Sequence, residues 1–204
     1  MKLDLSIAVN DQATPVLKDV KKRLHSRVDL NQRIAENVEV FTRDYLRILQ
    51  GLRHRTADAL GAQRTGFFER AAESPEGRGT SDAAILTLSP GAAFARAFGE
   101  VTIQPGPGRE YLTIPVNAAS YGRRAGEFED LQFIMTGKGV PVLAKPQDRT
   151  RILVVFYLLV KEVTQKQERD LLPSDEDWLA MAEEAARDFV LANTTAQPGE
   201  SAAP

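Results

Sequence analysis

The sequence predicts an α+β fold, with helices packed on one face of a mostly antiparallel sheet. Three observations predict it. Apolar residues recur at steps of three and four in the first third and again near the C-terminus, which is helical periodicity. Between those stretches, short β-branched and aromatic runs are punctuated by Gly and Pro, which is the pattern of strands and turns. The order strand, helices, strands, helix lacks the βαβ alternation of a parallel sheet. The 204 residues suit one domain over 1–193, with a flexible tail over 194–204 rich in Thr, Pro, Gly, Ser and Ala.

In chain order, Lys2 to Val9 alternates, with Leu3, Leu5, Ile7 and Val9 on one side, and predicts a strand facing a core. Asp11 or Thr14 caps a short helix through Leu24, with Pro15 in its first turn. Asp29 with Gln32 has the form of a capping box. Leu30, Ile34, Val38, Phe41, Tyr45 and Leu52 then trace a long amphipathic helix to about Leu60, where Gly61 interrupts it. Its polar face carries Arg33, Arg43, Arg47, Arg53 and Arg55. Arg64 to Ala72 adds a further turn or two of helix.

Residues 74–81, SPEGRGTS, read as a mobile loop. Strands are expected over Ala84–Leu88, Ala92–Phe98 and Glu100–Gln104. The last of these turns through PGPGR into a partner strand over Glu110–Pro115. Leu131–Met135 and Val140–Ala144 flank a glycine turn. Ile152–Val160 reads as a strand buried on both faces, and Pro115 and Pro141 belong at strand ends or edges. Ser174 followed by Asp177 opens the last helix, whose apolar face is Trp178, Met181, Ala182, Ala185 and Phe189.

The chain has no cysteine, which removes disulfides, thiolate metal sites and a cysteine nucleophile together. A net charge of −2 gives no global basic field for nucleic acid. The N-terminus MKLDLSIAVN is too short and charged for a signal peptide. Ile152–Val160 is about half of the ~20 residues a membrane helix needs, so the expectation is a soluble protein made in a reducing cytosol. His25 and His54 sit in basic contexts without metal-ligand spacing and read as surface residues. Gly137-Lys138-Gly139 lacks the earlier glycine of a phosphate loop, and no helix follows PGPGR. Asp175, Glu176 and Asp177 are more simply a helix start than a cation site. Glu127, Glu129 and Asp130 near Arg123 and Arg124 read as an exposed charged connection. No catalytic, cofactor or metal residue is indicated, and assembly with other chains is favoured over catalysis.

Charge is uneven. Residues 21–70 hold 11 Lys/Arg against 6 Asp/Glu, a net of +5, and residues 161–204 hold 4 against 10, a net of −6. This is either two solvated faces of one domain, or complementary surfaces for head-to-tail packing of copies, which closes into rings. Candidate interface residues are Arg47 on the basic helix and Asp175 and Asp177 on the acidic one. Arg78 in the glycine loop joins them, as do Tyr121, Arg123 and Arg124 on an irregular segment between strands.

The stretch from Phe94 to Phe128, FARAFGEVTIQPGPGREYLTIPVNAASYGRRAGEF, resembles the phage virion morphogenesis family, the tail-completion or tail-terminator proteins of Mu-like and related tailed phages. In that family a helical first third and a loop precede a strand with an aromatic-Ala-x-x-aromatic-Gly phrase, here Phe94, Ala95, Phe98 and Gly99. A proline-containing strand follows, here Leu112–Val116. Tyr121-Gly122-Arg123-Arg124 and the LLPSDEDW after the strand at 152–160 are similar too. The family's usual Arg-Pro-Phe is replaced by Pro115, Val116 and Asn117. The resemblance covers most of residues 20–192. It implies a structural virion protein made in the host bacterial cytoplasm that forms a ring, often six-fold, at the neck. Such a ring ends the tail tube, meets the head-tail connector or stopper proteins, and lets DNA pass through its lumen without specific binding. The alternative is a DNA-contacting adaptor using the basic face over residues 33–64, although little aromatic residue interleaves those arginines.

Overall fold

A computed structural model describes residues 14, 17, 18, 21, 27–89, 91–146 and 152–191. The strand expected at Lys2–Val9 and the tail at 194–204 lie outside the described residues, as does His25. Of the short helix expected up to Leu24, Thr14, Leu17, Lys18 and Lys21 are described, and they are helical. The fold is α+β, with a long helical run in the N-terminal half, a C-terminal helix and antiparallel ladders between them. The residues group into two compact units.

The first unit takes in the described parts of Met1–Thr42, Pro75–Leu88 and Pro173–Pro204. It holds the first part of helix α1 (Arg27–Leu52), a hairpin of β1 (Glu76–Gly79) and β2 (Ala84–Thr87), and helix α5 (Asp175–Leu191). α1 begins at Arg27, not at an Asp29–Gln32 capping box. The Gln32 side chain is occupied elsewhere, donating to Glu36 Oε1 at 3.0 Å and accepting the Gly79 N–H at 2.8 Å. Composition predicted a loop at 74–81, yet residues 76–79 are a strand. The reason is backbone proximity. A Cβ on Gly79 would stand 2.2 Å from Gln32 N, and one on Gly77 2.5 Å from Ala35 O, so β1 lies on α1 with no room for a side chain. The Gly77 N–H donates to Glu39 Oε2 at 2.8 Å. These glycines are selected for contact, not for a turn. α5 opens as expected: Ser174 Oγ accepts the Asp177 N–H at 3.1 Å, and Asp177 Oδ2 accepts from Ser174 Oγ at 2.6 Å and from Ser174 N at 3.1 Å. Trp178 Nε1 donates to the buried Thr42 hydroxyl at 3.0 Å.

The second unit, Arg43–Ser74 and Ser89–Leu172, begins with the rest of α1. The helical run breaks at Arg53 and His54, continues as α2 (Arg55–Leu60), and closes at Gly61 in a left-handed conformation (φ 61°). Gln50 Oε1 accepts the N–H groups of Phe68 and Glu69 at 3.2 and 3.4 Å and so caps α3 (Phe67–Ala72). Residues 92–98, expected as a strand, lie in helix α4 (Gly91–Phe98). The buried Phe94 and Ala97 stand at an i, i+3 spacing, and four alanines favour helix, so the aromatic-Ala phrase lies on a helix in this chain.

The hairpin expected through PGPGR does not form. β3 (Val101–Ile103) pairs with β8 (Val163–Gln165), while β4 (Leu112–Pro115) pairs with β7 (Leu153–Val160). Pro105 and Pro107 lack N–H donors and fix φ, so no ladder can continue beside that turn. β5 (Gln132–Met135) and β6 (Pro141–Pro146) do form a hairpin, closed by Gly139 N–H to Thr136 O at 2.8 Å. The main sheet runs β4-β7-β6-β5, antiparallel throughout, with a bulge between Leu143 and Ala144. β7 is interior to the sheet but is buried on one face only, at Tyr157 and Leu159; Phe156, Leu158 and Val160 on the other face are half-buried and Leu153 is exposed, so the burial on both faces that its apolar run predicted is not found. Pro115 ends the edge strand β4 and Pro141 starts β6.

Candidate functional site

Four places in the described residues offer surface for recognition, each inside one unit. In the second unit, the residues after β4 form an irregular segment pinned to the sheet. Asn117 caps a 3-10 turn at Ala118–Ser120, and the buried Ser120 Oγ donates to Phe156 O at 2.7 Å. The Tyr157 hydroxyl donates to Arg123 O at 3.0 Å and Ser120 O at 3.3 Å. Burial, and then the charge of Glu127, pushes that phenol above its ordinary pKa. Arg123 pairs with Glu127 at 3.2 Å and lies 4.1 Å from the centre of the Phe128 ring. The Arg124 backbone N–H and then the Arg123 side chain hold Glu127 below the usual carboxylate range. The segment is therefore irregular but fixed. Arg123 and Arg124 are exposed, and Lys145–Asp130 at 3.0 Å continues the charged connection.

Tyr121 faces a cavity of about 460 Å³ in the same unit, with Phe67 and Phe68 on its wall and Arg53, Arg55, Arg96 and Glu168 around it. An ion cluster closes part of it. Arg53, whose side chain is 16% exposed, bonds Glu168 Oε1 at 2.5 Å and also Asp170, and Arg96 holds the other Glu168 oxygen at 3.2 Å. His54, expected on the surface, is 6% exposed and donates through Nε2 to the Gln50 carbonyl, one turn back in α1. It is the buried plug at the end of α1. A basic flank in sequence said nothing of this. The cavity's cations are thus mostly neutralised from within the chain.

The main sheet ends at β5. Thr136 N–H donates to Val140 O, so by antiparallel alternation the backbone groups of Met135 and Phe133 point away from β6, toward the open edge. Their side chains are 56% (Phe133) and 54% (Met135) exposed. Among the described residues nothing pairs with that edge. Neither residue stood out in the sequence reading. The available signal was an LQFIM run that is apolar at alternate and intervening positions alike, in the first strand of a hairpin.

The first unit has an apolar groove of about 400 Å³ lined by α1 (Ile34, Val38), β2 (Ala84–Leu86) and α5 (Trp178, Leu179), with Asp175 at its rim. Of the expected interface residues, Arg78 on β1 and Asp175 and Asp177 at the start of α5 are exposed in this unit. Arg47 is exposed in the second unit and pairs with Asp44 at 3.2 Å. Asp177 is bound by Ser174, whose hydroxyl and then backbone N–H hold its pKa below normal. Tyr121, Arg123 and Arg124 share one segment.

Among the described residues no three His, Asp or Glu side chains are grouped to hold a metal ion, and no helix is long and apolar enough to cross a membrane. Comparison with family models, with curated proteins and with solved structures finds no match.

Proposed function

We propose that this chain is a structural subunit that assembles with copies of itself, and that the assembly is a ring completing the tail of a tailed phage at its neck, between tail tube and head connector. The observation that carries the assembly reading is the β5 edge. A strand with free backbone groups and two large apolar side chains in solvent is a pairing template. Proteins that stay monomeric blunt such edges with lysine, proline or a covering loop. Among the described residues β5 has none of these, so an abutting subunit is the simplest cover for it. The neck placement rests on the resemblance of residues 94–128 to tail-completion proteins. A lumen that passes DNA suits the modest net charge.

The DNA-adaptor reading has less support. Arg33, Arg47, Arg53 and Arg64 each have a carboxylate within 4 Å, so these arginines are partly neutralised before any phosphate arrives.

The test is Phe133→Lys with Met135→Lys, followed by native mass and negative-stain microscopy. The wild-type chain should form a closed oligomer at tens of micromolar, and the variant should sediment as a monomer with unchanged far-UV circular dichroism. A wild-type chain that stays monomeric, alone and with tail tube or connector proteins added, overturns the assembly reading. A closed oligomer that fails to restore tail joining to a phage defective in that step removes the neck assignment only.

A further inference from the structure

The main sheet has a second open edge, β4, and its strand direction, backbone groups and charge match those of β5. Every step in the order β4-β7-β6-β5 is antiparallel, so three steps set β5 antiparallel to β4. A copy displaced sideways without being turned over therefore brings its β4 antiparallel to β5, and one ladder can run on from subunit to subunit. The backbone groups agree with this. Val116 N–H donates to Phe156 O at 3.0 Å, toward β7, so by alternation the backbone groups of Thr113 and Pro115 point outward. Among the described residues nothing pairs with them. Proline has no N–H, and at an outward position that costs β4 no bond to β7. Across the sheet Phe133 lies in one row with Leu143, Tyr157 and Pro115, so Phe133 and Met135 are on the face that buries Tyr157 and Leu159.

We propose that β5 of one copy pairs with β4 of the next, with Met135 facing the neighbouring copy's Thr113 and Phe133 facing its Pro115. This rests on the assembly reading and names the surface that meets the β5 edge. In this register Met135 and Thr113 exchange both of their backbone hydrogen bonds, and the Phe133 N–H reaches the Pro115 carbonyl. The Phe133 ring leaves solvent against a half-buried proline, and the face that buries Tyr157 continues across the contact. Charge selects this register from those shifted by two residues. Lys138, in the turn between β5 and β6, comes opposite Glu110, just ahead of β4; the shifted registers set it opposite Gly108 or Leu112. Among the described residues neither Lys138 nor Glu110 has a counter-charge within 4 Å. The contact is heterologous, the kind that closes into rings. Pairing of β5 with β5 is isologous, and it stops at a dimer with both β4 edges still open.

The experiment is disulfide cross-linking. The chain has no cysteine, so engineered ones report alone. A hydrogen-bonded antiparallel couple stands about 5.5 Å apart at Cα, within the reach of a disulfide. Chains carrying Met135→Cys or Thr113→Cys are oxidised separately and as a mixture. The mixture should form cross-linked dimers roughly tenfold faster than either chain alone, because thiols held in contact react at a raised effective concentration. The chain carrying both changes should form a ladder of multiples. Met135→Cys that dimerises alone as fast as the mixture overturns the proposal, because β5 then meets β5. The absence of cross-links in chains whose native mass is that of an oligomer also overturns it and leaves the assembly reading standing. A chain that stays monomeric by native mass overturns both. Charge tests the register: Glu110→Lys should weaken association about threefold per contact, and adding Lys138→Glu should restore it. A double variant no tighter than Glu110→Lys alone overturns the register.

Discussion

In the first unit a hairpin meets helix α1 backbone to backbone, through Gly77 and Gly79, and the N–H groups so exposed are taken by the side chains of Glu39 and Gln32. In the second unit the sheet is filled by side chains, with Tyr157, Leu159, Val142 and Ala144 buried. Its other elements are tied by polar groups: Gln50 capping α3, and Glu168 shared between Arg53 and Arg96. The first arrangement leaves no volume to give, so it fails by steric overlap. The second loses stability by unpairing, one bond at a time. The single tryptophan, Trp178, lies in the first unit, so its fluorescence reports that unit and leaves the second to other probes.

The sharpest break in that comparison is Gly79→Ala. The new methyl would meet the main chain of Gln32, which cannot rotate aside, so α1 and β1 must separate. Overpacking of this kind costs typically 1–3 kcal/mol, and a backbone clash belongs at about 3 kcal/mol. Urea unfolding followed by Trp178 fluorescence should show that loss, with Gly77→Ala similar. A loss under about 0.5 kcal/mol would sink the steric account.

Next comes Arg53→Met. It leaves Glu168 with Arg96 alone and Asp170 without its partner, and places a thioether where a guanidinium bridged two carboxylates. The site is only partly desolvated, so the loss is about 2 kcal/mol, less than for a fully buried pair. Glu168→Gln tests the same cluster from the other side. Losses that add when the two changes are combined would mean that the pair is not coupled.

Tyr157→Phe is smaller. It keeps the ring and removes a hydroxyl that serves two carbonyls, Arg123 and Ser120, so about 1 kcal/mol is expected in thermal unfolding. The segment bearing Tyr121, Arg123 and Arg124 should become more sensitive to protease. If that sensitivity does not change, the segment is fixed by the Phe128 contacts and Ser120 alone.

The fold class and the end helix were legible because their signals are local: a 3.6-residue period, the Ser174–Asp177 cap, and the interior run at 153–160. Two readings failed where the deciding partner is distant in sequence, and a third, at His54, for a local reason. Gly77 and Gly79 look like loop residues until α1, some forty residues earlier, is laid against them. β4 pairs with β7 across a long connection because PGPGR cannot carry a ladder. His54 is buried by a bond to Gln50 and by the break in the helix, neither of which a basic flank announces. The strand at 92–98 was a different error. Its helical spacing at Phe94 and Ala97 is local, but aromatic and small residues set in a run of strands mask it. The predicted interface residues were found exposed, apart from the half-buried Tyr121, because charge is a fair guide to exposure. The apolar edge at Phe133 and Met135 was missed, because only topology shows that β5 is outermost.

Acid should separate the units least, because among the described residues each holds one carboxylate with a depressed pKa. Asp177 is held down by the Ser174 hydroxyl and N–H in the first unit, and Glu127 by the Arg124 N–H and the Arg123 side chain in the second. For a depressed carboxylate the stabilisation is fully present above the unfolded-state pKa, near about 4, and is lost as pH falls through the folded-state value. Unfolding midpoints read by Trp178 fluorescence for the first unit, and by the near-UV signal of the four tyrosines, all in the second unit, should therefore be flat above about pH 5 and fall together below about 4. Ser174→Ala removes the cap acceptor and should cost about 1 kcal/mol at neutral pH in the Trp178 signal. It should also flatten the acid limb of that signal, since Asp177 then titrates nearer its unfolded value, while the limb read by the tyrosines keeps its slope. An acid limb in the Trp178 signal that Ser174→Ala leaves unchanged would mean that other carboxylates carry the first unit's acid sensitivity.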